Sequence, residues 1–165
     1  MLVDQLLQHR ILPQTRKGDG PYPEALLGRV AIANAKLVYS SFTQLFHSER
    51  WQALTRQGAR VQRPLWASTS TKNPQYSDVR YVEPLIGPYT VNTMPEETIA
   101  AFADHGMVKG NTVTEELEEA RRVFQDLRTL GVDFDCVTWQ LENEGVQKFI
   151  EPYAALLKAL EKKQA

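Results

Sequence analysis

Only two stretches of this chain have the pattern of β-strands, and that scarcity limits what it can fold into. The first is the apolar run Pro64–Ala67, at the end of a segment from Arg60 that has no helical period. The second is Thr90–Met94. Two strands do not make a stable sheet with both faces covered. The 165 residues therefore form either a mostly helical protein or one part of a larger parallel sheet. The length suits a single domain over 1–165.

The rest of the chain reads mainly as helix. Leu2–Leu12 has a short amphipathic pattern. Pro13–Pro23 holds three prolines and two glycines and predicts an exposed loop. A long helix is expected from Pro23 to Phe46, with Leu26, Val30, Ala33 and Leu37 on its apolar stripe. A shorter one, Glu49–Gln57, ends at Gly58. Tyr81–Ile86 fits a strand or a short helix equally well. Thr93 and Glu96 have capping-box spacing, with Pro95 in the first turn of a helix that stops at Gly106. Met107–Val113 predicts a loop. Thr114–Leu130 puts Leu117, Ala120, Phe124 and Leu127 on one face, and Gly131 ends it. A last helical region, Phe134–Lys162, is expected to break near Gly145, with Pro152 starting or kinking its final segment. Residues 107–165 thus read as a C-terminal helical extension.

Charge and cysteine content narrow the function. Lys plus Arg number 19 against 20 Asp plus Glu, so no electrostatic case exists for a nucleic-acid partner. No apolar run reaches the ~20 residues that span a bilayer, so no membrane role is expected. Cys136 is the only cysteine; a disulfide within the chain is impossible, and a cytoplasmic, reducing compartment fits best. His9, His47 and His105 share no ligand spacing, so no metal site is expected. Cys136 is read as a small packed residue, Trp66 as core, and Glu115–Arg122 as a solvated charged face with pairs along the helix.

The informative segment follows the first strand. Ser68–Pro74 is seven residues without one large apolar side chain. A buried strand that empties into a hydroxyl-rich loop is how α/β proteins present a site at the carboxyl end of a strand. The segment RPLWASTSTKNPQYSDVRYVEPLIGPYTVNTMP, Arg63–Pro95, resembles transaldolase, and more narrowly its longer bacterial form. LLGRVAIANAKLVY (Leu26–Tyr39) and the tail Phe102–Leu160, with GVDFDCVTWQLENEGVQKF, are similar to the same family, so the resemblance covers nearly the whole chain.

The resemblance implies an α/β fold, the C-terminal part of a (β/α)8 barrel: Val61–Ala67 as the seventh strand, Val91–Met94 as the eighth, a short helix over Tyr81–Ile86, and additional C-terminal helices. A full barrel takes roughly 250 residues. The family's imine-forming lysine belongs to a fourth-strand motif that has no counterpart here. The acidic residues of its first and third strands are also missing. The resemblance therefore implies no catalytic residue in this chain and no cofactor. What it leaves is the end of the site that holds a phosphosugar substrate's phosphate. Ser68 matches a family serine that contacts that phosphate. Lys72 stands near a phosphate-binding arginine of shorter family members, in a loop two residues longer, and offers a point charge in place of a fork. Thr71 adds a hydroxyl, and Asn73–Pro74 fixes the turn. Asn92, at the end of the second strand, either faces the site or satisfies backbone groups.

Three expectations follow. The chain is a C-terminal portion of a transaldolase of the pentose phosphate pathway and is inactive alone. It is one half of a split enzyme that needs an N-terminal barrel half, or it self-associates. Or it is a non-enzymatic helical module descended from the barrel.

Overall fold

Two helices, packed face to face, carry the largest part of the core. The computed structural model describes residues 2–8 and 23–164. Its elements in chain order are α1 (Leu2–Leu6), α2 (Val30–Phe46), α3 (Glu49–Thr55), β1 (Leu65–Ala67), β2 (Val91–Thr93), α4 (Glu96–His105), α5 (Leu117–Thr129) and α6 (Phe134–Gln164). Short 3₁₀ turns lie at Pro23–Leu26, Glu83–Leu85 and Thr112–Thr114. Helix α2 meets α5 through Val30 and Ala33 against Ala120, Val123 and Leu127, and Leu7 and Leu26 close the cluster. The spacing of these residues gives each helix one apolar face, and burying that face is what makes the pair stable.

Polar contacts fix the register of that pair. Lys36 is almost fully buried, and its Nζ donates to the Glu115 carbonyl at 2.9 Å and to the Glu116 carboxylate at 3.4 Å. Glu116 is in the left-handed region (φ 56°) immediately before α5, so the buried cation holds a strained turn in place. Arg29 Nη2 donates to Glu119 Oε1 at 2.7 Å. The charged run is thus only partly a solvated face: Arg121 and Arg122 pair with Glu118 and Glu119 along the helix, while Glu116 and Glu119 also tie α5 to α2.

The sheet is small. β1 and β2 run parallel, with Leu65 opposite Val91, Trp66 opposite Asn92 and Ala67 opposite Thr93. Trp66 is buried in a second cluster with Tyr39, Leu85 and Val113, and its Nε1 donates to the Leu85 carbonyl at 3.1 Å. One face of the sheet therefore packs on α2. The alternate residues Leu65, Ala67 and Thr93 lie on the opposite face and are exposed.

Several expectations are corrected. The helix predicted from Pro23 is a 3₁₀ turn, with Pro23 and Leu26 buried, followed after a break by α2. Gly28 makes the break: it sits at φ +69°, and a Cβ there would lie 2.9 Å from Tyr76 and Arg80. Pro23 is itself buried, although it was assigned to an exposed loop, and the remainder of that loop, 13–22, falls outside the described residues, as does 9–12 of the first helix. The capping box does not form. The Thr93 hydroxyl is turned to β1, where it donates to the Trp66 carbonyl, and α4 starts after Pro95 with no side-chain cap. Tyr81–Ile86 contains the 3₁₀ turn Glu83–Leu85. The last region is one continuous helix of 31 residues, unbroken at Gly145 and containing Pro152. Cys136 is exposed, not packed. It lies in the first turn of α6, where its N–H donates to Asp133 Oδ1 at 3.1 Å.

Candidate functional site

The loop leaving β1 is set by an unusual backbone position at its first residue. Ser68 has φ 54°, a left-handed conformation uncommon outside glycine, asparagine and aspartate. Its N–H donates to Thr93 Oγ1 at 3.4 Å, and the same Thr93 hydroxyl donates to the Trp66 carbonyl at 3.4 Å. The end of β2 thus holds the end of β1. One residue on, buried Thr69 donates through Oγ1 to Asn92 Oδ1 at 2.7 Å. The loop then turns on Asn73, whose Oδ1 accepts from the Gln75 N–H at 3.0 Å.

This loop borders a cleft of about 740 Å³ between β1 and the helices α1 and α2. Asp4, Asn34 and Tyr81 line its other sides. Lys72 is the one cation that lines it among the described residues, and its side chain is exposed. Tyr76, also in the lining, stacks under Arg80 with the guanidinium carbon 4.6 Å from the ring centroid. Arg80 Nε in turn donates to the Gly28 carbonyl at 3.2 Å. The loop is therefore fastened both to β2 and to the turn before α2. Burial first, and the Asp4 carboxylate next, lift the Tyr76 and Tyr81 hydroxyls above their ordinary 10.0, so both are neutral donors at neutral pH.

The four residues singled out from sequence have separate positions. Ser68 and Lys72 border the cleft, with Ser70 between them. Thr71 is half-buried, and its hydroxyl donates to the Ser77 carbonyl at 2.9 Å. Asn92 shares the Trp66 side of the sheet, and its amide oxygen is engaged by Thr69. Asp4, Asn34, Tyr76 and Tyr81 were not singled out, because each is a common residue type on a predicted helix or turn and becomes a wall only through long-range packing. Chemically, the rim combines hydroxyls, a strained backbone turn and one ammonium, a set that suits an oxyanion such as a phosphate group.

A parallel strand pair with a polar loop at its carboxyl end is the arrangement in which α/β proteins present a site. The chain matches the family model described as Transaldolase/Fructose-6-phosphate aldolase over residues 8–160, and it belongs to that family. It is similar to proteins named transaldolase: 52% identical to one from Mycolicibacterium paratuberculosis over 139 residues, 84% of this chain and 37% of that protein. Another, from Trichodesmium erythraeum, is 45% identical over 163 residues, 98% of this chain and 43% of that protein. One from Frankia alni is 53% identical over 137 residues, 83% of this chain and 37% of the relative. The chain thus spans about two-fifths of the length of these relatives, at their C-terminal end.

Proposed function

We propose that this chain supplies the phosphate-binding end of a transaldolase, with β1 and β2 as the seventh and eighth strands of a (β/α)8 barrel. The observation that carries the reading is the Ser68–Asn73 loop, held in a left-handed turn over a cleft at the carboxyl end of a parallel strand. In the reaction a dihydroxyacetone unit moves between phosphosugars through an imine on a lysine. Such a lysine must lose its proton to attack the ketone, and a carboxylate must move protons in the following steps. Both come from the part of the barrel that this chain does not span. Ser68 offers a hydroxyl, and Lys72 a charge free to follow the phosphate; together they fix one end of the sugar while chemistry proceeds at the other.

Lys72 is not the imine lysine in this reading. Its side chain is exposed, and it stands in a loop of polar residues. The test is a coupled assay of the purified 165-residue chain with fructose 6-phosphate and erythrose 4-phosphate, followed by borohydride trapping and mass spectrometry. The expected result is no turnover and no adduct. Turnover with an adduct on Lys72 would overturn the assignment. A covalent fusion of this chain behind the unmatched N-terminal part of the Trichodesmium erythraeum transaldolase is expected to turn over, with Ser68→Ala raising KM for the phosphosugar more than it lowers kcat.

A further inference from the structure

We propose that His105 is a positioning residue for the Ser68–Asn73 loop: as an imidazolium it holds Asp78, and through Asp78 and Ser77 it holds Thr71 beside Lys72. The inference rests on the phosphate-end reading above and adds to it a residue outside the loop and a dependence on pH.

The geometry requires the cation. His105 Nε2 lies 2.8 Å from Asp78 Oδ1, and Nδ1 lies 3.1 Å from Asp104 Oδ2. An ionised carboxylate has no hydrogen to give, so both ring nitrogens must donate. Only the imidazolium has two N–H groups. The neutral ring has one, and its other nitrogen then turns a lone pair on a carboxylate oxygen. Asp78 comes from the turn after the loop and Asp104 from α4 itself. A third carboxylate, Glu83 of the Glu83–Leu85 turn, accepts the Met107 N–H at 2.9 Å just past the helix end.

The end of α4 is a firm anchor. The Gly106 N–H donates to the Phe102 carbonyl at 3.0 Å, and a Cβ on Gly106 would strike the Phe102 ring. Glu83 then fastens Met107. His105 therefore sits on a helix end whose next two residues are both held.

The path from Asp78 to the loop is short. Ser77 precedes Asp78, and its carbonyl accepts the Thr71 hydroxyl at 2.9 Å and the Arg80 N–H at 3.1 Å. Thr71 precedes Lys72. A displacement of Asp78 is thus passed by the neighbouring carbonyl to the residue beside the ammonium. The turn from Ser77 to Arg80 has two moorings outside itself: Arg80 Nε on the Gly28 carbonyl at 3.2 Å, and Asp78 on His105. Of these, the imidazole is the group that changes charge near neutrality. As pH rises and the ring loses a proton, one of its two contacts changes from attraction to repulsion. The backbone at Thr71 is then less firmly pinned, and an anion that binds the loop must also order it.

The test uses the full chain and inorganic sulfate, which keeps its double charge where a phosphate ester titrates. Sulfate is titrated at constant ionic strength from about pH 5 upward, past the His105 titration, while NMR follows the Ser68–Asn73 amides and the His105 ring. Sulfate affinity is expected to fall about twofold to fivefold as pH rises, with the midpoint of His105. Asp78→Asn is expected to lower that midpoint and the sulfate step together. His105→Gln is expected to remove the step, whereas a merely structural role would weaken binding equally at every pH. Thr71→Val, which deletes the hydroxyl on Ser77 at nearly the same shape, is expected to leave the His105 midpoint in place while sulfate affinity no longer follows it. Sulfate binding that ignores the His105 midpoint, or a step that survives His105→Gln or Thr71→Val, overturns the positioning role and leaves the phosphate-end reading standing. A loop that shows no sulfate shift at any pH overturns that reading, and the positioning role with it.

Discussion

At the scale of single residues, two hydrogen-bonded pairs have consequences that can be measured. Thr69 is buried and its hydroxyl has Asn92 as acceptor, so Asn92→Ala leaves that hydroxyl without this partner. The expected cost is about 1–3 kcal/mol, read as a lower midpoint in urea. His105 is exposed and bonded on both ring nitrogens, to Asp78 through Nε2 at 2.8 Å and to Asp104 through Nδ1 at 3.1 Å. The Asp78 bond first, and the Asp104 bond next, raise the imidazole above its ordinary 6.5. The bond to His105 likewise lowers the Asp78 carboxyl below its ordinary 3.8. Because the histidine is raised, its contribution to stability is complete below 6.5 and is lost as pH rises through the raised value. Because the aspartate is lowered, its contribution is present above 3.8 and is lost as pH falls through the lowered value. The tie between α4 and the turn at Asp78 is therefore whole between those two limits. Asp78→Asn is expected to bring the His105 titration, followed by NMR, back toward 6.5, and an unmoved titration would refute the coupling.

At the scale of elements, the long helix invites a direct test. Gly145 lies inside α6, and a Cβ there would meet nothing within 4 Å. Gly145→Ala is therefore expected to stabilise the helix by about 1 kcal/mol, seen as greater helicity by circular dichroism and a higher Tm. No change would mean that α6 is not helical through this point in solution. The same residue marks where reading the sequence fell short. A glycine in a helical pattern predicts a break, but α6 runs through it because the residues on both sides keep the helical spacing. The strands were legible to within a residue or two, since Leu65–Ala67 and Val91–Thr93 are short apolar or β-branched runs bounded by proline and polar loops. The helical start at Pro23 was misread because Gly28 takes a positive φ under Tyr76 and Arg80, which are about fifty residues away in sequence. Thr93 was misread for the same reason: its acceptor, the Trp66 carbonyl, is in another strand. Of the candidate site, the polar character of the loop was legible because seven residues without a large apolar side chain follow an apolar run. The clamp of Thr69 on Asn92 and the wall made by Tyr76 and Tyr81 were not, because each depends on packing between segments far apart.

At the scale of the whole molecule, two regions differ in how complete they are. The α2–α5 pair has a closed core, with Leu127 and Leu7 fully buried. Among the described residues, one face of the sheet and α6 beyond Val137 are exposed. The chain is therefore expected to bind ANS through the exposed apolar residues of α6, among them Trp139, Ile150 and Leu157, and through the bare sheet face. A chain that binds no ANS would show that those surfaces are covered without any partner. No helix among the described residues, α6 included, is long and apolar enough to cross a membrane. The three tryptophans fall in three different surroundings: Trp66 is sealed and hydrogen-bonded, Trp51 stacks edge-on against Phe46, and Trp139 stands exposed on α6. The protein thus carries its own optical reporter. Iodide should quench the red-edge emission of Trp139 selectively, and protection of that emission would time the arrival of whatever covers α6, with no label attached.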